Sequence, residues 1–347
     1  MRLPTKLYRN EQIRAFDRLA IEQEGIPSFK LMTRAGYALF QYIRNHYPKA
    51  HSFAVFCGSG NNSGDGYIVA RLLLREGFKV CIYTVADPEK LRGDALTAYH
   101  HYMLEKGELK SFDETEYICA DIIIDALFGL GLARPIEGIY AKAVEKINEH
   151  HGLVLAIDVP SGINADTGGI MGCAVKADVT VTFIGVPQGL LTGYAPDYCG
   201  EIIYASLDIP ESVLATQKPS AMRVLPKLLP RRLRCSHKGD YGHVLVIGGD
   251  QGYTGAARLA GEAALRCGAG LVSIATRNSH AVLLNAHRPE LMCHGVETAE
   301  ALKILLEKVT VVAIGTGLGQ HTWAKTLLTA TLNTNKPLIV DADALNL

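Results

Sequence analysis

The sequence carries no excess charge of either sign: 35 Lys and Arg stand against 35 Asp and Glu in 347 residues. That balance argues against nucleic acid or a membrane surface as the main partner. There is no C-x-x-C pair among the eight cysteines, at positions 57, 81, 119, 173, 199, 235, 267 and 293, so no zinc knuckle or thioredoxin-type site is written here. Cys57, Cys81 and Cys119 fall in apolar runs and read as buried free thiols; a reducing compartment follows, and the cytoplasm is the expected location. No apolar stretch nears the roughly 20 residues of a membrane span. The N-terminus alternates charged and apolar residues, unlike a signal peptide. No G-x-x-x-x-G-K-[ST] occurs, which excludes a P-loop.

What is present suits globular cores. The chain is 48% hydrophobic and has 34 glycines, as expected where tight turns join strands to helices. Its length predicts about two domains. One stretch organises the first half. Phe53 to Cys57 reads as a buried strand, and Gly58-Ser59-Gly60-Asn61-Asn62-Ser63-Gly64-Asp65-Gly66 as a tight polar loop. A helix then resumes over about 66–76. Backbone N–H groups and the helix dipole make such a junction a seat for phosphate. Gly58, Gly60 and Gly64 approach the dinucleotide fingerprint but are spaced one residue too long. The strand over 79–85 also ends without the required acidic residue, since Asp87 comes too late. The asparagines and the aspartate offer oxygen donors for a cation or for ligand hydroxyls.

Periodicity predicts an amphipathic helix over Leu7 to Glu22 and a second from Ser28, as its cap, to about Tyr47, with Arg34 a solvated charge. Strands are predicted at 53–57, 79–85, 120–125, 153–157 and 179–184, one more within Gly200 to Leu207, and helices at about 93–105 and 139–149. That alternation implies an α/β fold, a mainly parallel sheet in a three-layer αβα domain with ligands at the carboxyl ends of the strands. There, Asp125 opens a glycine-rich loop to Pro135, and Asp158-Val159-Pro160-Ser161-Gly162 follows the next strand. Oxygen donors without histidine or cysteine suit a hard cation, and a singly charged one fits the few carboxylates. A proline-rich segment at 208–240 reads as a linker with a solvated basic run, Arg231 to Arg234. Alternation then restarts, with strands at 242–247, 271–276, 309–314 and 338–341, a helix over Ala256 to Cys267, and glycine loops at 248–255 and 315–319. His100-His101 and His150-His151 lie on predicted helices or their ends, where adjacent residues share no face, so neither pair reads as a metal site.

Three motifs now carry a likeness. Gly58 to Gly66, Asp125-Ala126-Leu127-Phe128-Gly129-Leu130-Gly131 and Ile157-Asp158-Val159-Pro160-Ser161-Gly162 resemble the NAD(P)H-hydrate epimerase family. His237-Lys238-Gly239-Asp240-Tyr241-Gly242 and Gly255-Ala256-Ala257-Arg258 resemble the start of an ADP-dependent NAD(P)H-hydrate dehydratase, a ribokinase-like domain. The resemblance implies an epimerase over 1–215, a linker over 216–235 and a partial dehydratase over 236–347. It implies a small-molecule substrate, hydrated NADH or NADPH, whose R and S forms the epimerase interconverts. It implies a potassium ion on Asn62, Asp125 and Ser161, and substrate contacts from Asn61, Asn62, Ser63, Gly64, Asp65, Gly129, Leu130, Gly131, Leu132, Ala133, Arg134, Pro135 and Asp158, with Ala257 and Gly317 in the second domain. Inverting a carbon that bears a hydroxyl beside a ring nitrogen requires proton transfer, and Asp158 is the expected general acid/base.

Two departures stand out. Many family members carry a lysine near Val186-Pro187-Gln188-Gly189, absent here. The sequence stops at Asp341-Ala342-Asp343-Ala344-Leu345-Asn346-Leu347, before the histidine and G-T-G-D segment of the dehydratase. The expectation is an incomplete second sheet without dehydratase activity, ADP or ATP with magnesium serving only a complete domain. A non-catalytic nucleotide-binding module and a ribokinase-like small-molecule kinase are the alternatives. Oligomeric state, a homo-oligomer included, stays open.

Overall fold

The computed structural model describes residues 3–226, 229–286 and 288–347. The chain forms two compact units, Met1–Leu225 and Pro226–Leu347. In the first, β1 (Lys6–Tyr8) leads into α1 (Asn10–Glu22) and α2 (Ser28–His46). Then come β2 (Ser52–Cys57), α3 (Asn61–Arg75), β3 (Lys79–Thr84), α4 (Gly93–Leu104), β4 (Glu108–Ser111), β5 (Ile122–Ala126), α5 (Ile139–Asn148) and β6 (Leu153–Ile157). The unit closes with β7 (Val179–Phe183), β8 (Val186–Pro187), β9 (Glu201–Ala205), α6 (Glu211–Leu214) and β10 (Ala221–Met222).

Seven of these strands form one sheet, ordered β4-β3-β2-β5-β6-β7-β9, with every pairing parallel. Both faces are covered, so the central strands are continuous apolar runs rather than alternating ones. Successive residues enter different cores. Val55, Cys57, Ile122, Ile124, Leu155 and Ile157 pack toward α2, α3 and α4, whereas Ala54, Phe56, Ile123, Val154 and Ala156 pack toward α5. The strand order runs outward from β2 in one direction and from β5 in the other. The switch between β2 and β5 opens a crevice at their carboxyl ends, where such sheets bind ligands. A small three-stranded sheet, β10-β1-β8, joins the first and last strands of the unit.

The second unit contains β11 (His243–Ile247), α7 (Thr254–Arg266), β12 (Leu271–Thr276), α8 (Asn278–Leu284), β13 (Leu291–Gly295), α9 (Ala299–Leu306), β14 (Val311–Ile314), α10 (Thr322–Leu332), β15 (Leu338–Val340) and α11 (Asp343–Asn346). Its sheet is ordered β13-β12-β11-β14-β15, again wholly parallel and again reversing beside its first strand.

Several expectations need correction. α3 starts at Asn61, not near 66, so Asn61 to Asp65 form its first turns rather than a loop. Ser28 is the first residue of α2, and its N-cap is Pro27. Arg34 is not a free surface charge: its Nη1 donates to the Leu207 carbonyl at 2.7 Å. Cys119 is exposed and precedes β5, while Cys57 is buried and Cys81 partly so. β4 and β13 were not anticipated. The linker is shorter than 216–235. Ser220 N donates to Leu7 O and Arg223 N to Thr5 O, and β10 pairs with β1, which binds residues up to 225 into the first unit. Residues 227 and 228 of that linker lie outside the described residues. No helix among the described residues is long and apolar enough to cross a membrane.

Candidate active site

The site grows from the switch between β2 and β5. Gly58 follows β2 so close to the residue after β5 that a Cβ there would lie 2.4 Å from the Leu127 carbonyl oxygen. α3 starts three residues on, and its first turn carries Asn62 and Ser63 inward, both buried. Ser63 Oγ donates to the Ala126 carbonyl at 3.2 Å, locking the helix start to the end of β5.

Asp125 is fully buried in β5. Its carboxylate accepts from Leu127 N at 3.2 Å, Ser161 N at 2.8 Å and Ser161 Oγ at 2.6 Å. Burial pushes its carboxyl up to about 6, the donors from Ser161 and Leu127 working in the opposite sense. Ser161 Oγ also accepts from Phe128 N at 2.9 Å, so the loops after β5 and β6 are stitched together.

Asp158 follows β6 with φ at 68°, a left-handed conformation uncommon outside glycine. Its N–H donates to the Val181 carbonyl at 2.8 Å. Its Oδ2 accepts from Leu130 N at 3.1 Å. Gly129 lies between the key side chains: a Cβ there would stand 2.8 Å from Asp158 Oδ2 and 3.0 Å from Asn62 Oδ1. That close approach explains a glycine at this place.

A cavity of about 290 Å³ opens on this arrangement, lined by Asn61, Asp65, Leu130 and Asp158 together with Arg14, Asp17, Asp94 and the apolar side chains of Ile13, Leu31, Ile184 and Leu207. Burial pushes the Asp158 carboxyl up to about 6, against the Leu130 N–H, with the Asp17 charge raising it and Arg14 lowering it. Asp65 is held well above the ordinary carboxylate range by burial, then by the charges of Asp158 and Asp17. Burial therefore raises both neighbouring carboxyls, and the charge of Asp158 acts on Asp65, the kind of pairing that divides acid and base roles.

Asn62, Asp125 and Ser161 meet around the 126–130 turn, and all offer oxygen. The Asn62 amide nitrogen is buried without a hydrogen-bond partner among the described residues. Neutral oxygens around a single carboxylate match a hard, singly charged cation.

Of the other expected contacts, Ser63 and Gly64 are packed into the scaffold, Gly64 against Met32. Leu132, Arg134 and Pro135 line a separate cavity of about 450 Å³ with Ser59 and Tyr140. Gly131 and Ala133 are exposed between the two. Gln188, where a lysine was looked for, is a tie: its amide donates to Asp166 O at 2.8 Å and accepts from Ser220 Oγ at 2.8 Å. The α1 residues Ile13, Arg14 and Asp17 were missed. On a helical wheel they read as one face of an ordinary packing helix, and only the tertiary contact gives them a cavity to line. His100 lies near Glu89 and His101 near Arg71, so this pair does not converge.

In the second unit the loops after β11 and β14 meet. Gly249 N donates to Thr316 O at 3.2 Å and Asp250 N to Gly317 O at 2.8 Å. Ala257 is buried beside Gly249, and a Cβ on Gly317 would lie 2.8 Å from that of Tyr253, so both expected contacts flank the same turn.

Fold and site together define a two-unit α/β protein whose parallel sheets each reverse strand order beside a crevice at the carboxyl ends of their strands. Residues 28–189 match the family described as YjeF-related protein N-terminus, and residues 244–347 match NAD(P)H-hydrate dehydratase. The chain is 46% identical to a bifunctional NAD(P)H-hydrate repair enzyme of Coxiella burnetii, over 99% of this chain and 71% of that one. It is 40% identical to the enzyme of that description in Escherichia coli K12, over 99% of this chain and 67% of that one. The crystal structure of yeast ynu0, YNL200c, shares the fold at 21% identity, with a TM-score of 0.54, covering 61% of this chain and 93% of that chain. The chain belongs to the bifunctional NAD(P)H-hydrate repair enzyme family. Both family segments are present, and neither the fold nor the relatives support the expectation that the second is inactive.

Proposed function

We propose that the first unit interconverts the R and S forms of hydrated NADH or NADPH, with Asp158 moving the proton. The observation that carries this is the Asp158 carboxyl, held by the Leu130 N–H on the cavity wall with its pKa near neutrality. The substrate bears a hydroxyl on the carbon beside a ring nitrogen. If the C–O bond breaks, protonated Asp158 gives its proton to the departing oxygen. Water re-adding on the other face returns a proton to the carboxylate. If the ring opens instead, the Asp158 carboxylate takes the hydroxyl proton as the carbon–nitrogen bond breaks to leave an aldehyde, and passes that proton to the ring nitrogen; closure on the other face reverses both transfers. Either way the enzyme ends unchanged. Asp65, its carboxyl raised by burial and by Asp158, faces the same cavity, and Gly129 leaves room for a substrate oxygen between Asp158 and Asn62.

Asn62, Asp125 and Ser161 would hold a potassium ion. When bound, it supplies a fixed positive charge that orients substrate oxygens. The cavity suits the ring end of the substrate, and the neighbouring one, with Arg134, suits the remainder. For the second unit we assign removal of water from the hydrate, with ADP or ATP and magnesium, at the turn flanked by Ala257 and Gly317.

The test follows conversion of the purified R epimer to S by chromatography, in potassium buffer and in a large organic cation. Wild-type protein is expected to convert rapidly only with potassium. Asp158→Asn is expected to lose about 10²–10⁴-fold in rate, the usual contribution of a general acid/base. A full rate in Asp158→Asn would remove that residue from the chemistry. Equal rates in both buffers would remove the cation.

A further inference from the structure

α1 lies outside residues 28–189, the segment that carries the family match in the first unit. Yet it is tied to the site at one peptide. Leu130 N donates to Asp158 Oδ2 at 3.1 Å. The carbonyl of the same residue accepts two hydrogen bonds from α1, from Asn10 Nδ2 at 2.6 Å and Arg14 Nη2 at 2.9 Å. Arg14 Nε donates to Asn10 Oδ1 at 3.1 Å, fixing the two side chains to each other. The backbone N–H of Asn10, at the start of α1, donates to Asp166 Oδ1 at 2.7 Å. A carboxylate at a helix N-terminus is held there by unpaired N–H groups and by the helix dipole.

The contacts close a ring. Asp158 and Asp166 belong to the same loop after β6; Leu130 belongs to the loop after β5; Asn10 and Arg14 belong to α1. The peptide of Leu130 is gripped on both sides, and its N–H is the only donor to the Asp158 carboxylate among the described residues. A neutral carbonyl needs no charged partner for folding, and Arg14 is exposed, so its cation adds little to stability. What the two bonds do is fix the plane of the 130 peptide, and with it the direction in which the Asp158 carboxylate is held.

We propose that Asn10 and Arg14 are positioning residues for Asp158, acting through the Leu130 peptide. The proposal rests on the epimerase reading only for its kinetic arm. In Arg14→Met the aliphatic stem remains and the donor is gone; Arg14→Lys restores a donor and the charge. With the intact chain, kcat for epimerisation is expected to fall about tenfold or more in Arg14→Met, with KM within about twofold, because misplacement of a reacting group lowers turnover rather than binding. Arg14→Lys is expected to recover most of the loss. Asn10→Ala, which removes the second donor, should reproduce the Arg14→Met pattern.

Amide hydrogen exchange at Leu130, read by NMR, gives a second arm independent of substrate. Its N–H is expected to exchange faster in Arg14→Met and in Asn10→Ala than in wild-type protein, and near the wild-type rate in Arg14→Lys. Unchanged exchange in both variants, or kcat within about twofold of wild type, would overturn the proposal. So would a rise in KM alone, which would make Arg14 a substrate contact. If wild-type protein does not epimerise the hydrate, the functional reading fails and exchange at Leu130 alone decides on the brace.

Discussion

Asp158 combines a left-handed backbone with a carboxyl pushed from its usual 3.8 up to about 6. Its folded pKa is raised, so the folded chain holds the proton more tightly than the unfolded one. The stabilisation this gives is full below about pH 4 and is lost as pH rises through 6. At neutral pH a charge therefore sits where the fold resists it. Asparagine keeps the side-chain shape and is among the few residues that tolerate left-handed backbone. Asp158→Asn is expected to melt higher than wild-type protein at pH 8, with the gain vanishing near pH 4. Thermal denaturation at the two values checks this, in the large organic cation so that potassium does not contribute. An equal gain at both would show that the buried charge is not its source. At this scale the site was partly legible. Asp125, Asp158 and Ser161 stood out as polar residues directly after apolar runs. Asp65 stood out too, though the rise in its pKa comes from burial and from Asp158 and Asp17, which no local pattern encodes.

The strands of the first sheet could be read from sequence because they are buried on both faces and hence continuously apolar. β4, with the sequence Glu-Leu-Lys-Ser, could not: it lies at an edge, half-exposed, and its charges resemble those of a turn. β13 is the corresponding edge of the second sheet. The start of α3 was misplaced for a different reason. Asn, Ser and Asp favour turns because their side chains compete for backbone hydrogen bonds, and glycine because its backbone is unrestricted; the same side-chain habit places Asn, Ser and Asp in first helical turns. The cavity wall from α1 was illegible, since an amphipathic pattern says that one face is buried but not against what. α3 itself offers a test of how the site is supported. Leu73, near its far end, is fully buried in the main core. Leu73→Ala is expected to cost roughly 2–5 kcal/mol in urea denaturation. The epimerase rate well below the melting temperature should stay near that of wild type. A large loss of rate at unchanged stability would mean that the helix start is set by packing three turns away.

The two units have separate hydrophobic cores: among the described residues, those of the first contain no residue beyond Leu214, and those of the second begin at Val244. Alternation of strands and helices made the architecture plain from the sequence, whereas the boundary was drawn too early, because the two-residue strand β10 pairs with a strand over 200 positions away. A fragment ending at Leu225 is expected to fold alone, with a cooperative transition, and to retain epimerase activity. Circular dichroism melting and the epimer assay check both. A non-cooperative transition would mean that the second unit contributes to the stability of the first.

The pairing of Lys6 with Met222 and Leu7 with Ala221 brings the beginning and the end of the first unit side by side. A chain whose ends meet can be opened elsewhere. Joining residue 3 to residue 225 through a short bridge and cutting near the exposed Tyr117 would yield a circular permutant in which no strand of the main sheet is broken. By the same geometry, the unit is a cassette: it can be inserted into another protein's surface loop without spreading the two halves of its host.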